Sequence, residues 1–227
     1  MATQKPNEKE LVSQEKVIET VSKTEQFFRE NKKTIYGLVI GIIAVGLLIY
    51  CYNQFIYKPK AEEGAAQMIQ AEQNFRNGDY ELALNGDGNV LGFAQIADEF
   101  GAKAGKSVYF YAGVCALNAG DYEKALDYLK QYKGKDKILA SRAIACMGDA
   151  YVGLQDLNAA LGCFEKAAAK ADNVFAATYL LKAGITCEEL GDKQKALGFY
   201  KQIREEYPSS IEGYDIDKYI SRIENQE

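Results

Sequence analysis

Five cysteines are the side chains in this chain best suited to chemistry, and their spacing argues against most of it. Cys51, Cys115, Cys146, Cys163 and Cys187 form no C-x-x-C pair. Zinc sites are usually built from such close pairs, so no metal centre is expected. There is no histidine, which removes imidazole triads, most proton shuttles and imidazole metal ligands. The four cysteines after Cys51 read as small buried apolar groups. A disulfide among them stays open, because it depends on the compartment. The expectation is therefore a protein that is not an enzyme, with no catalytic residue, no cofactor and no small-molecule substrate.

Without reactive groups the chain must act by binding, and two kinds of element could position a binding surface. The first is an uncharged run from Thr34 to Tyr57, nearly all apolar from Ile35 to Tyr52. As a helix it would be about 36 Å long, enough to cross a hydrocarbon core of about 30 Å. A cleaved leader fits poorly, because a largely polar stretch of 33 residues precedes the apolar run, which is also too long. Lipidation at Cys51 fits poorly too, because bulky Tyr50 precedes it. Lys23, Arg29, Lys32 and Lys33 crowd the N-terminal flank, while Lys58 and Lys60 are followed at once by Glu62 and Glu63. That asymmetry favours a cytoplasmic N-terminus. Gly37 and Gly41 stand four apart, a spacing that lets two helices approach closely in lipid. Val17, Ile18, Val21 and Phe28 mark a short amphipathic stretch before the span, suited to lie on lipid or to dock against a membrane partner.

The second element is a repeat. GVCALNAGDYEKALDYLKQY (113–132), GDAYVGLQDLNAALGCFEKA (148–167) and GITCEELGDKQKALGFYKQI (184–203) align with each other. Each has a leading glycine (Gly113, Gly148, Gly184), a turn (Gly120-Asp121, Gln155-Asp156, Gly191-Asp192) and an alanine-leucine pair beginning at Ala125, Ala160 or Ala196. A period near 35 with a turn between two apolar-periodic stretches predicts stacked helical hairpins, since one pair cannot bury its own apolar face. A weaker copy, Asn77-Gly78-Asp79-Tyr80 with Ala83-Leu84, is interrupted by Asn85–Asn89. Ser209 or Ser210 can cap a final helix whose apolar face is Ile216, Tyr219, Ile220 and Ile223. Asp217, Lys218, Arg222 and Glu224 are expected to face water.

The fold expected is all-α: a single N-terminal transmembrane helix followed by an α-solenoid with a C-terminal capping helix. Residues 1–33 would form a cytoplasmic arm and 34–57 the span. A divergent helical pair with an inserted turn would fill 58–105, three repeats 106–210, and the cap 211–227. After the span the chain carries 20 basic and 26 acidic residues. An acidic domain with no basic stripe in its sequence is a poor nucleic-acid binder.

The leading glycines, the packing alanines and the aromatics Phe164 and Tyr200 resemble the tetratricopeptide pattern; Leu129 takes the aromatic's place in the first copy. That resemblance implies a concave surface lined by the first helix of each pair. The positions it points to are Ser107, Phe110, Val114, Leu117 and Asn118, then Arg142, Ala145, Asp149 and Val152, then Thr178, Leu181, Ile185, Glu188 and Glu189. This mixed apolar and acidic set suits an extended apolar or basic segment. Phe110, Leu181 and Ile185 could equally belong to the core between helices.

The anchor, the preceding Phe27-Phe28-Arg29-Glu30-Asn31-Lys32 and the acidic repeats together resemble the bacterial ancillary Sec translocon subunit of the YfgM type. This resemblance implies an inner-membrane protein with periplasmic repeats. It would help secreted proteins pass from the translocon to periplasmic chaperones, with translocon subunits and a membrane-anchored prolyl isomerase of the PpiD type as partners. The repeats also resemble the cell-division coordinator family, which would imply an envelope adaptor for division or wall synthesis. Direct holding of unfolded clients is a further alternative.

Overall fold

The structure is a computed structural model and describes residues 27–171 and 173–225. The chain separates into two units, Met1–Tyr57 and Lys58–Glu227. Val17, Ile18 and Val21 of the proposed amphipathic stretch lie outside the described residues.

In the first unit, helix α1 (Lys32–Tyr52) is followed by a π-helical stretch, Asn53–Tyr57. Among the described residues one helix, starting at Lys32, is long and apolar enough to cross a membrane. No residue of α1 is buried. A Cβ built at Gly37 or Gly41 meets nothing within 4 Å.

Every regular element among the described residues of the second unit is a helix. Helices α2 (Lys58–Asn77) and α3 (Tyr80–Asn85) form a hairpin, and α4 (Phe93–Glu99) follows a break. Three longer hairpins come next: α5 (Ser107–Asn118) with α6 (Tyr122–Gln131), α7 (Lys137–Gly153) with α8 (Leu157–Lys170), and α9 (Phe175–Glu189) with α10 (Lys193–Glu206). Helix α11 (Ile211–Glu224) closes the stack.

One turn design is used four times. The first helix ends with a residue of positive φ: Gly78 (85°), Gly120 (79°), Gln155 (61°) or Gly191 (82°). The following aspartate N–H bonds back five residues, as from Asp121 to the carbonyl of Ala116 and from Asp192 to that of Cys187, each at 2.9 Å. This 6→1 bond satisfies a carbonyl left over at the helix end. In the three long hairpins the same aspartate caps the second helix. Asp156 Oδ1 accepts from the Ala159 N–H and Asp192 Oδ1 from the Lys195 N–H, both at 3.0 Å. Asp79 makes no such side-chain bond.

The glycines of the first helices explain how closely each pair packs. A Cβ at Gly113 would meet Leu129 Cγ at 2.6 Å, and one at Gly148 would meet Phe164 Cε1 at 2.5 Å. At Gly184 it would collide with the Tyr200 ring. Leu129, Phe164 and Tyr200 therefore fill the space inside their own pairs. Tyr200 also lies 5.3 Å from Tyr219 of α11, centroid to centroid.

The break between α3 and α4 has its own logic. Gly86 (70°) and Gly88 (88°) adopt positive φ. Asp87 Oδ1 accepts from the N–H groups of Asn89 and Val90, both at 2.9 Å. Those bonds hold the Asp87 carboxyl below the usual carboxylate range. At the other end Ser210 caps α11, its Oγ accepting from the Gly213 N–H at 2.9 Å. Ile216, Ile220 and Ile223 are buried under that helix. Asp217, Lys218, Arg222 and Glu224 on its other side are exposed, and among them Arg222 pairs with Glu188 at 2.5 Å and Glu224 with Lys201 at 3.1 Å.

Candidate partner groove

Each first helix presents one stripe at helical spacing to a shared groove. α5 supplies Val114, Leu117 and Asn118; α7 supplies Ile138, Arg142, Cys146 and Asp149; α9 supplies Phe175, Thr178 and Lys182. Phe75 and Tyr80 also line it, and its volume is about 630 Å³. Steps of three and four keep such residues on one face of a helix.

Charge inside the groove is arranged in two ways. Lys182 Nζ lies 2.6 Å from Asp149 Oδ1 and 2.7 Å from Oδ2, so α9 and α7 are joined by a pair that neutralises both groups. The same ammonium sits 5.6 Å from the centre of the Phe164 ring. Arg142 is exposed and has no ion pair among the described residues; its guanidinium lies 6.0 Å from the centre of the Phe110 ring. Ile138 and Phe175 are 47% and 49% exposed, which is apolar surface a partner could cover. Thr178 donates to Glu212 Oε1 at 2.6 Å, tying the groove wall to α11. Asn118 spends its amide N–H on the Val114 carbonyl at 2.8 Å.

Of the positions that the sequence points to, Val114, Leu117, Asn118, Arg142 and Asp149 line the groove with Ala145 and Thr178. Phe110 does not: at 3% exposure it belongs to a small core cluster with Leu129 and Ala143. Leu181 is half-buried against the large C-terminal core. Val152 and Ile185 are exposed but away from the groove lining. Glu188 accepts from Tyr200 Oη and from Arg222, both at 2.5 Å, so it fastens α10 and α11 to α9. Gly37 and Gly41 lie in α1 with open space around them. Sequence reasoning missed Ile138, Cys146, Phe175 and Lys182. The signal was present: Lys182 follows Thr178 by four, and Cys146 follows Arg142 by four. In α9 the groove lining runs Phe175, Thr178 and Lys182, beginning one turn before the positions that the sequence points to.

Cys146 lines the groove as a packing group. Burial pushes its thiol up to about 11 and that of Cys115 up to about 12, which keeps both protonated and unreactive. The five cysteines are free thiols.

Stacked hairpins with tight glycine contacts and a groove along their first helices make the second unit a tetratricopeptide-like α-solenoid. Family models described as tetratricopeptide repeat match residues 107–136 and 147–211. Two solved structures have a similar fold. The crystal structure of MamA superposes with a TM-score of 0.51 at 16% identity, covering 69% of this chain and 93% of that one. A second crystal structure of MamA protein gives 0.55 at 17%, covering 72% and 87%. No curated protein matches the sequence.

Proposed function

We propose that this chain is a non-enzymatic scaffold held by α1 in the bacterial inner membrane, with its repeats in the periplasm. The groove holds an extended segment of a partner protein. The observation that carries this reading is a groove lined by three successive first helices, on a chain that also has one membrane-length apolar helix. Exposed Ile138 and Phe175 supply apolar contacts, and Arg142 supplies one charge free to meet a carboxylate. The short motif before α1 and the order of the elements support the translocon-ancillary role, with translocon subunits and periplasmic chaperones as partners. Gly37 and Gly41 offer a close-approach face for a partner's helix in the membrane.

Gentle detergent extraction followed by co-purification tests the assignment. The expected result is recovery of translocon or chaperone subunits with the full chain, reduced by Phe175→Asp. Recovery of the protein alone would remove the translocon role. The apolar exposure at Ile138 and Phe175 also favours a second reading, direct holding of unfolded clients. Failure of residues 58–227 to slow aggregation of a model client would end it.

A further inference from the structure

The repeats are acidic overall, yet folding brings three lysines to one pocket, with two more close to them in the chain. Lys133 and Lys135 lie in the non-helical connection between α6 and α7, and Lys130 is in the last turn of α6. Lys166 and Lys170 stand four residues apart near the end of α8. Lys130, Lys133 and Lys170 line a pocket of about 520 Å³ that also includes Tyr132, Ile144 and Met147. All five lysines are exposed. Among the described residues none of their ammonium groups has an ion-pair partner, although elsewhere Lys124, Lys182, Lys195, Lys201 and Lys218 all do.

Carboxylates on the neighbouring segments of chain are mostly occupied. Asp136 accepts from the Leu139 N–H at 2.7 Å to cap α7, and Glu165 pairs with Lys195 at 2.8 Å. Asp127, three residues before Lys130 on α6, does not pair with it. Burial pushes the Cys163 thiol up, and the charges of Lys166 and Lys130 oppose it, so the field at that point is positive. A lysine or two at a helix end is ordinary dipole compensation. Two helix ends and a lysine-rich connection converging on one apolar-floored pocket exceed that need. An apolar floor beneath a rim of ammonium groups matches a polypeptide segment that carries an apolar side chain between carboxylates.

We propose that this pocket is a second docking site, apart from the groove, for an acidic polypeptide segment. An apolar side chain enters between Tyr132, Ile144 and Met147, and flanking carboxylates meet Lys130, Lys133 and Lys170. The site does not depend on the translocon assignment.

The test uses the full chain in neutral-lipid nanodiscs and a fluorescent peptide with a central Phe flanked on both sides by Glu. Binding is expected at low salt, and it weakens as ionic strength rises toward about 0.3 M because exposed charges are then screened. The variant K130E/K133E/K170E is expected to bind about tenfold or more weakly. Lys133→Glu alone, in the connection where no helix is at risk, should show a smaller loss in the same direction. Replacing the peptide's Phe by Ala should also weaken binding. Absence of binding at low salt, binding by both lysine variants as tight as that of the unaltered chain, or indifference to the Phe would each overturn the proposal. So would lysine-dependent association with phosphatidylglycerol vesicles by a protein that ignores the peptide.

Discussion

The ring of Tyr200 fills the space that a side chain at Gly184 would occupy, so α9 and α10 are locked at contact distance by the absence of one carbon. Tyr200 is fully buried, and its hydroxyl donates to Glu188 Oε1, one turn past Gly184 on the same helix. Gly184→Ala must push this ring away, and it should cost about 1–3 kcal/mol as overpacked sites do. Gly198 is the control. It lies in α10 with nothing within 4 Å of a built Cβ. Gly198→Ala should gain up to about 1 kcal/mol from helix propensity. Urea unfolding followed by circular dichroism reads both, and opposite signs are required.

Gln155 carries the same turn as Gly78, Gly120 and Gly191 but at φ 61°. A side chain in the left-handed region costs about 1–2 kcal/mol. Gln155→Gly should therefore stabilise the protein and raise Tm by about 2–4 °C for each kcal/mol recovered. A fall in Tm would show that the Gln155 side chain makes an interaction worth more than its strain.

Phe110 and Phe175 separate packing from binding. Phe110 is 3% exposed and Phe175 is 49% exposed. Phe110→Ala should lose about 3–5 kcal/mol of stability, as large core truncations do. Phe175→Ala should stay within about 0.5 kcal/mol of wild type yet lower partner recovery. Equal stability losses for the two would contradict the burial pattern.

Alkaline pH should unfold this protein earlier than its charge alone implies. Burial raises Cys146 to about 11 and Cys115 to about 12, from an ordinary 9.0. It also raises Tyr200, helped by the hydrogen bond to Glu188. Each group holds its proton longer when folded, so the unfolded state binds fewer protons and stability falls as pH rises. The cysteine contribution is fully present below pH 9.0 and is lost as pH climbs through about 11 and about 12. Urea midpoints at pH 8, 10 and 11 should fall progressively, and Cys115→Ala with Cys146→Ala should flatten the fall. An unchanged slope in that variant would remove the thiols from the account.

The sequence by itself determined the repeat register, the turns and the membrane-length helix, because each is a local property. A glycine at positive φ, an aspartate that caps the next turn, and an alanine at the helix contact leave a period that can be read along the chain. Ser210 and the isoleucine face of α11 were legible for the same reason. What tertiary structure decided was which face of each helix is inside. Phe110 and Arg142 lie close together, yet one is core and the other is groove, because α5 and α7 are seated by the packing of Gly113 on Leu129 and of Gly148 on Phe164. The Lys182–Asp149 and Arg222–Glu188 pairs join residues 33 and 34 apart in the chain. The lysine-ringed pocket is of the same kind. Its charges come from two helix ends and a connection, and only stacking brings them together.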